Sequence, residues 1–369
     1  MKVLITPDKF KGTLTAAAAA AAIARGWRRV RPGDQLELLP QSDGGDGFGA
    51  VMGDLLGAQK QVLATVDAAH RPCRANWWWQ PQSRMAIIEA AQIGGLARLP
   101  SGKFHPFDLD TFGLGAAVRA AVELGARHLV FGIGGSATND GGFGLARALD
   151  WNFGDRSGRP IEQWRDLADL AVMTPPRRRR WGRITVGVDV QNRLLGVHGC
   201  TRVYGPQKGL RPEDFMPAER ALRRLALVAR RQFGRDFAAE PGAGAAGGLG
   251  FGLRVFLGAQ LVPGFDLFAR QARLNARLRE VDLVLTGEGA IDRSTLMGKG
   301  VGQTALRCRQ AGVPCVGLAG VILLPPNPRR VFHQTRALTE LTTPQQARAR
   351  AGYWLERLAA VTAAEISVP

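Results

Sequence analysis

For a chain of 369 residues with 49 basic side chains, this one has very little lysine: seven, against 42 arginines. Cysteine is also scarce. Cys73, Cys200, Cys308 and Cys315 show no CxxC spacing, and the five histidines are scattered, which argues against a zinc site. Cysteine this sparse in a large chain fits a reducing compartment, so a cytoplasmic protein is expected. No apolar run approaches the roughly 18 residues that a membrane-spanning helix needs. Met1-Lys2-Val3-Leu4-Ile5 leads straight into a motif, so no cleavable signal and no membrane partner are expected. The chain has no GxxxxGK(S/T) phosphate loop, no HRD/DFG kinase set and no evident internal repeat.

What is present is globular in composition: 46% hydrophobic, 22% charged, with 47 glycines. The length exceeds the usual single core, so two domains are expected. The formal net charge of +18 is spread along the chain. Its one dense run, 177–180, follows Pro175-Pro176 and reads as a solvated loop. Neither an aromatic-interleaved RNA-binding signature nor a DNA-recognition helix accompanies it, so no nucleic-acid partner is expected. A basic surface would also draw small anionic substrates. Lysine is more telling than the total, because Lys9, Lys11, Lys208 and Lys299 all fall within distinctive motif blocks. A compact ammonium suits a tight phosphate site better than a planar guanidinium. That favours Lys11 and Lys299 as phosphate or substrate contacts.

The hydrophobic pattern alternates between strand and helix. Short β-type runs occupy 2–6, 35–39, 85–88, 128–131, 184–188, 281–285 and 313–318. Helical periodicity occupies 15–29, with Thr15 as N-cap, 116–124, closed by Gly125, then 145–149, 213–233 and 295–311. Trp77-Trp78-Trp79 reads as a semi-buried strand of the second domain. This alternation predicts an α/β fold.

The most specific stretch is 130–144, VFGIGGSATNDGGFG. A β-type run enters a loop of glycines and small polar residues, and a helix-compatible segment leaves it. Gly134 and Gly135 let backbone amides converge on an anion. Ser136, Thr138 and Asn139 add uncharged donors, Asp140 offers a carboxylate, and the following helix start adds partial positive charge. A phosphate or carboxylate site is expected. Residues 242–247 match GxGxxG, but no strand precedes them and no acidic residue follows at the required offset, so a dinucleotide site is rejected there. Close helix packing or a substrate loop explains those glycines better.

Other blocks are Pro7-Asp8-Lys9-Phe10-Lys11-Gly12-Thr13-Leu14, Ser42-Asp43-Gly44-Gly45-Asp46-Gly47, Thr111-Phe112-Gly113-Leu114-Gly115, Asp189 through Gly196, Gly205-Pro206-Gln207-Lys208-Gly209, Pro241 through Gly252, and Thr286-Gly287-Glu288-Gly289-Ala290-Ile291-Asp292 with Gly298-Lys299. Together with 130–144, these closely resemble the glycerate kinase family (type 1, glycerate 2-kinase), in family order over most of the chain.

The resemblance implies ATP- and Mg²⁺-dependent phosphorylation of D-glycerate to 2-phosphoglycerate, with 3-phosphoglycerate as the other regiochemistry. It also implies a Rossmann-like parallel-sheet domain built from both termini, 1–80 plus 280–369, and an inserted α/β domain, 81–279. Asp189 with Asn192 is the first choice for Mg²⁺ or the acceptor hydroxyl, and Asp292 with Lys299 the second, as base and charge partner. Lys11 is the candidate for the glycerate carboxylate or a phosphate oxygen. Asp8, Asp43, Gly134, Gly135, Ser136, Thr138, Asn139, Asp140, Gly287 and Glu288 complete the expected binding residues. The chain departs from the family pattern at Ala290, where Arg is usual, at Gly94, where Ser is usual, and at Gln191 and Arg193. Arg293 is positioned to replace the missing Arg. Those departures leave open a kinase of another small hydroxy acid, or an inactive basic binding protein. Oligomeric state is not readable from the sequence.

Overall fold

The computed structural model describes residues 1–178, 181–296, 298–323 and 331–366. Arg179 and Arg180 of the arginine run lie outside the described residues. The strands in chain order are β1 (Lys2–Ile5), β2 (Gln35–Leu38), β3 (Gln59–Val66), β4 (Pro72–Gln80), β5 (Met85–Glu89), β6 (His128–Gly132), β7 (Asn152–Gly154), β8 (Val172–Thr174), β9 (Arg183–Val188), β10 (Gln260–Pro263), β11 (Leu283–Ile291), β12 (Cys315–Ile322) and β13 (Gln334–Ala337). One sheet has the order β13-β12-β11-β1-β2 and is parallel throughout. A second has the order β10-β9-β6-β5-β4-β3, parallel from β10 to β5 and antiparallel beyond. β7 and β8 form a small antiparallel pair. The fold is α/β, as the alternation of patterns requires.

The chain divides into a terminal unit, Met1–Asp43 with Phe265–Pro369, and a middle unit, Gly44–Gly264. This corrects the expected boundaries near 80 and 280. The β3–β4 hairpin pairs with β5 and so extends the middle sheet. At the other boundary, the helices Gly264–Gln271 and Leu274–Arg277 are tied to the terminal unit, where Arg307 reaches Asp266 (2.6 Å) and Asn275 (3.1 Å). Both assignments depend on contacts between residues far apart in sequence.

In the terminal unit, Val3, Leu4 and Ile5 are fully buried because β1 lies between β11 and β2. The helix Ala16–Val30 starts at Thr15, whose hydroxyl accepts the Ala18 amide at 3.1 Å. Ala19, Ala20, Ile23 and Trp27 of this helix share a core with Leu355, Leu358 and Ala359 of the helix Ala351–Glu365. Gly26 permits that close crossing, since any Cβ there would overlap the Glu356 carbonyl. Replacing Thr15 with Ala removes the cap and is expected to cost about 1 kcal/mol, read as a lower denaturant midpoint for the terminal unit.

Two elements differ from expectation. β11 continues through Thr286-Gly287-Glu288-Gly289 to Ile291, because β12 pairs with it as far as Ile322. Gly287 allows this approach, as a Cβ there would overlap the Leu318 carbonyl. The helix expected over 295–311 is two helices, Arg293–Leu296 and Gly300–Ala311. Gly298, at φ +121°, breaks the run, and Lys299 stands at the N-cap of the second helix.

The tryptophan triplet lies on β4. Trp77 joins the middle unit's main core with Ile88 and Phe131. Trp78 faces the other way, against Gly49 and Gly53 of the helix Phe48–Leu55. The helices Leu114–Glu123 and Phe215–Phe233 fall within two residues of expectation, whereas the pattern does not predict Ala245–Leu257 and Ala351–Glu365.

Candidate active site

In the middle unit the sites lie at the carboxyl ends of β5, β6 and β9, where parallel sheets place their ligands. Glu89, the last residue of β5, accepts the amides of Gly47 (3.0 Å) and Gly49 (2.9 Å) and thereby fixes the 44–49 loop. That loop meets the glycine loop following β6, with the Gly134 amide donating to Gly44 O at 3.0 Å. A Cβ on Gly134 would lie 2.6 Å from Gly45 Cα and 2.8 Å from Asp189 Oδ2. One on Gly135, at φ +78°, would overlap the Asp46 carboxylate. Asp189, at the end of β9, and Asp46 therefore pack directly on the glycine backbone. The loop is further pinned by Ala137 N–H to Gly94 O and Leu96 N–H to Gly135 O, both 2.9 Å. Gly94 has only Ala68 Cβ, at 4.0 Å, near its own Cβ direction, so the usual side chain is missing here without the space being closed.

Several expected ligand groups are committed to the loop itself. Asp140 is fully buried, and its carboxylate accepts from Thr111 N (3.0 Å), Thr111 Oγ1 (2.7 Å), Gly144 N (2.9 Å) and Gly142 N (3.2 Å). Burial and then Asp110 raise its pKa, against those hydrogen bonds. Asp140 is thus the loop's anchor, which corrects its expected role as a ligand. The helix that follows, Phe143–Ala148, is short, and its early amides are already taken: Gly144 by Asp140, Leu145 by Thr111 Oγ1 (2.9 Å). The positive helix start is not available to a ligand. Asn192 is likewise engaged, accepting Tyr204 OH (2.6 Å) and donating to His198 O (2.8 Å), so it braces the loop after β9 and does not present its oxygen beside Asp189. Ser136 and Thr138 hydroxyls lie 3.0 Å apart, and Asn139 Nδ2 donates to Thr201 Oγ1 at 3.1 Å.

The 242–252 glycines are packing residues. Ala246, Gly247 and Gly248 all adopt left-handed backbone inside the helix Ala245–Leu257. Gly247 O accepts the Gly141 amide (3.1 Å), and a Cβ on Gly252 would lie 2.6 Å from Gly142 Cα. The GxGxxG match serves the contact between two glycine loops.

In the terminal unit a cluster of acids gathers at the ends of β1 and β2 and along β11. Asp8 is driven well above its usual pKa by burial and by Asp43, against the Lys9 amide at 2.7 Å. Glu288 is pushed up to about 7 by burial; Thr295 Oγ1 (2.7 Å) and Lys299 Nζ (3.9 Å) oppose that, while Asp43 and Asp292 add to it. Asp292 behaves oppositely. Burial raises its pKa, but the Ser294 hydroxyl (2.5 Å) and amide (2.7 Å), then Lys299, outweigh burial and lower it. It caps the helix Arg293–Leu296, which explains its position without a proton-accepting role. Gly287 O receives the Asp8 amide at 2.8 Å. Lys11 is exposed, with its backbone amide beside Gly289. Arg293 is exposed on the helix that Asp292 caps.

Among the described residues, no group of three or more His, Cys, Asp or Glu side chains is arranged to hold a metal. Mg²⁺ bound with a nucleotide needs only one or two carboxylates, the rest being phosphate and water oxygens. The hard-oxygen donor Asp189 packed on the glycine loop fits that mode.

Glycine loops beside a strand-end carboxylate in the middle unit, and in the terminal unit a cluster of acids of which one has its pKa pushed up to about 7, define the class of an enzyme acting on small anions. A model of the glycerate kinase family matches residues 3–367. Glycerate kinase from Halalkalibacterium halodurans is 36% identical over 322 residues, covering 86% of this chain and 85% of that one. Glycerate 2-kinase from Escherichia coli K12 is 34% identical over 328 residues, covering 87% and 85%. A crystal structure assigned to glycerate kinase 2 of Salmonella typhimurium LT2 superposes with a TM-score of 0.83 at 32% identity, covering 99% of this chain and 97% of that one. The chain belongs to the glycerate kinase family and is an enzyme of that family. No helix among the described residues is long and apolar enough to cross a membrane.

Proposed function

We propose that this enzyme transfers the γ-phosphoryl group of ATP to the 2-hydroxyl of D-glycerate, giving 2-phosphoglycerate and ADP with Mg²⁺ as cofactor. The observation that carries the chemistry is Glu288, a carboxylate held near pH 7 beside a lysine. A general base works best when its pKa lies near the working pH. Glu288 takes the proton from the acceptor hydroxyl, the hydroxyl oxygen forms the new bond to phosphorus, and the bond to the ADP oxygen breaks. Lys299 steadies the charge that develops on the acceptor. Thr295 holds Glu288 Oε1 and so aims Oε2 (2.7 Å). The backbone of Gly134 and Gly135, with Ser136 and Thr138, is the reading for an anionic group. Mg²⁺, when bound, neutralises the charge of the β- and γ-phosphate oxygens, and Asp189 would hold it. Asp8, Asp43 and Lys11 support substrate binding in this reading. The choice of the 2-position rests on the name of the Escherichia coli relative.

Purified protein with Mg·ATP and D-glycerate tests this directly. Signal through enolase without added mutase is the expected outcome. Glycerate-dependent ADP release that stays silent with enolase alone would instead assign the 3-position. No glycerate-dependent ADP would transfer the proposal to another hydroxy acid, the reading that Ala290 and Gly94 favour, and a panel of hydroxy acids would identify it.

A further inference from the structure

Lys208 is the last residue of the helix Cys200–Lys208 and, at 7% exposure, is the buried lysine of a chain with few lysines. Its ammonium donates to Thr138 O at 2.6 Å, in the middle of the glycine loop. It is also sealed from the other side. A Cβ on Gly247 would lie 2.8 Å from Lys208 Nζ and would overlap Thr138 O, so only glycine fits where the left-handed turn closes over this contact. Ala246, just before it, holds φ +55°, in the left-handed region that favours glycine. Next to the contact, Asn139 Oδ1 is buried without a hydrogen-bond partner among the described residues. Desolvating a lysine, straining an alanine and orphaning an amide oxygen are three costs, from three segments, that meet at one carbonyl of the glycine loop.

That peptide has a defined consequence. In a trans peptide, the carbonyl and the following amide point in opposite directions. Anchoring Thr138 O on Lys208 turns the Asn139 N–H to the opposite side of the loop. We propose that Lys208 is a positioning residue for phosphoryl transfer: it orients the Thr138–Asn139 peptide, and with it the donors that the 134–139 loop offers to an anion. The inference rests on the reading of that loop as a substrate or phosphate site. The groups facing the ammonium are Cys200 on its own helix, Asp140 of the loop and Asp189 at the end of β9. Burial lowers the ammonium's pKa to about 8 against all three.

The test compares wild type with Lys208→Met, measuring dissociation constants for D-glycerate and for Mg·ATP by titration calorimetry, and KM and kcat in parallel. The expected result is a selective loss, at least tenfold, in affinity and KM for one of the two ligands, with the other within twofold. Dissociation constants, KM and kcat all within twofold of wild type, with the calorimetric stoichiometry reporting the folded fraction, would overturn the positioning role. Should Lys208→Met fail to fold, Lys208→Arg decides, because a broader guanidinium does not fit the space that Gly247 closes: the same selective loss of affinity is expected, and dissociation constants for both ligands within twofold of wild type overturn the proposal. Binding without turnover would count against the catalytic reading alone, since the affinity ratio still reports on Lys208.

Discussion

Glu288→Gln is expected to lower kcat by about 10² to 10⁴, the usual worth of a positioned general base, while leaving the affinity for Mg·ATP close to wild type. Gln keeps the shape and can still accept from Thr295 Oγ1, which now donates at 2.7 Å, but it cannot take a proton. The pH profile provides the sharper check. Because the base must be ionised, wild-type kcat/KM rises with pH through about 7. Glutamine removes that limb together with the activity. Stability moves the other way. The folded-state pKa of about 7 lies above the ordinary value of 4.5. Between those two pH values the unfolded chain has already released this proton while the folded one retains it, so this group's contribution to stability falls as pH rises through the window. At pH 8 the variant is therefore expected to be no less stable than wild type. An inactive variant with an unchanged or higher thermal midpoint separates chemistry from folding. Wild-type kcat in Glu288→Gln would return the base to Asp189 or Asp292.

Asp189→Asn is expected to reduce kcat/KM by about 10³ at moderate Mg²⁺, with partial recovery as Mg²⁺ is raised. The carboxylate packs on Gly134 and lies at the end of a buried strand, so its position is set by β9 and by the glycine loop together. Metal neutralisation of phosphate charge is worth several kcal/mol in the transition state, and an amide oxygen is a much weaker Mg²⁺ donor than a carboxylate. Asn keeps the size of the side chain, so the contact with Gly134 survives. The measurement is the dependence of rate on Mg²⁺ at fixed ATP. An Asp189→Asn enzyme with wild-type rate and Mg²⁺ response would remove Asp189 from the metal and leave it as a loop-packing residue.

The two assignments differ in how legible they were. Asp189 was visible from sequence, because a buried β-type run leads straight to it. Glu288 was visible as a strand-end acid, but the rise of its pKa was not. Its pKa reflects burial by the continuation of β11 against β12 and the proximity of Asp43, 245 positions earlier in the chain, none of which has a local signature. Asp140 and Asn192 show the converse. Their residue types suit ligand binding, yet both spend their polar atoms on neighbours: Asp140 on Thr111, Gly142 and Gly144, and Asn192 on Tyr204 and His198. A polar side chain in a glycine-rich loop serves the loop as readily as a ligand, and only hydrogen-bond geometry separates the two. Lys208 had a signal in the rarity of lysine, but its burial depends on Gly247 and Thr138 arriving from two other segments.

By itself the sequence determined the α/β class, the strands β1, β2, β5, β6, β9, β11 and β12, the helices Ala16–Val30, Leu114–Glu123 and Phe215–Phe233, the Thr15 cap and the glycine loop after β6, because periodicity, capping and glycine tolerance act over a few residues. Tertiary structure alone decided that β3 joins β4 at the edge of the middle sheet, that β11 runs on past Glu288, and which acids spend their oxygens on their own loops. Those outcomes depend on desolvation and on partners distant in sequence, and a burial energy is a property of the assembled neighbourhood rather than of any residue within it.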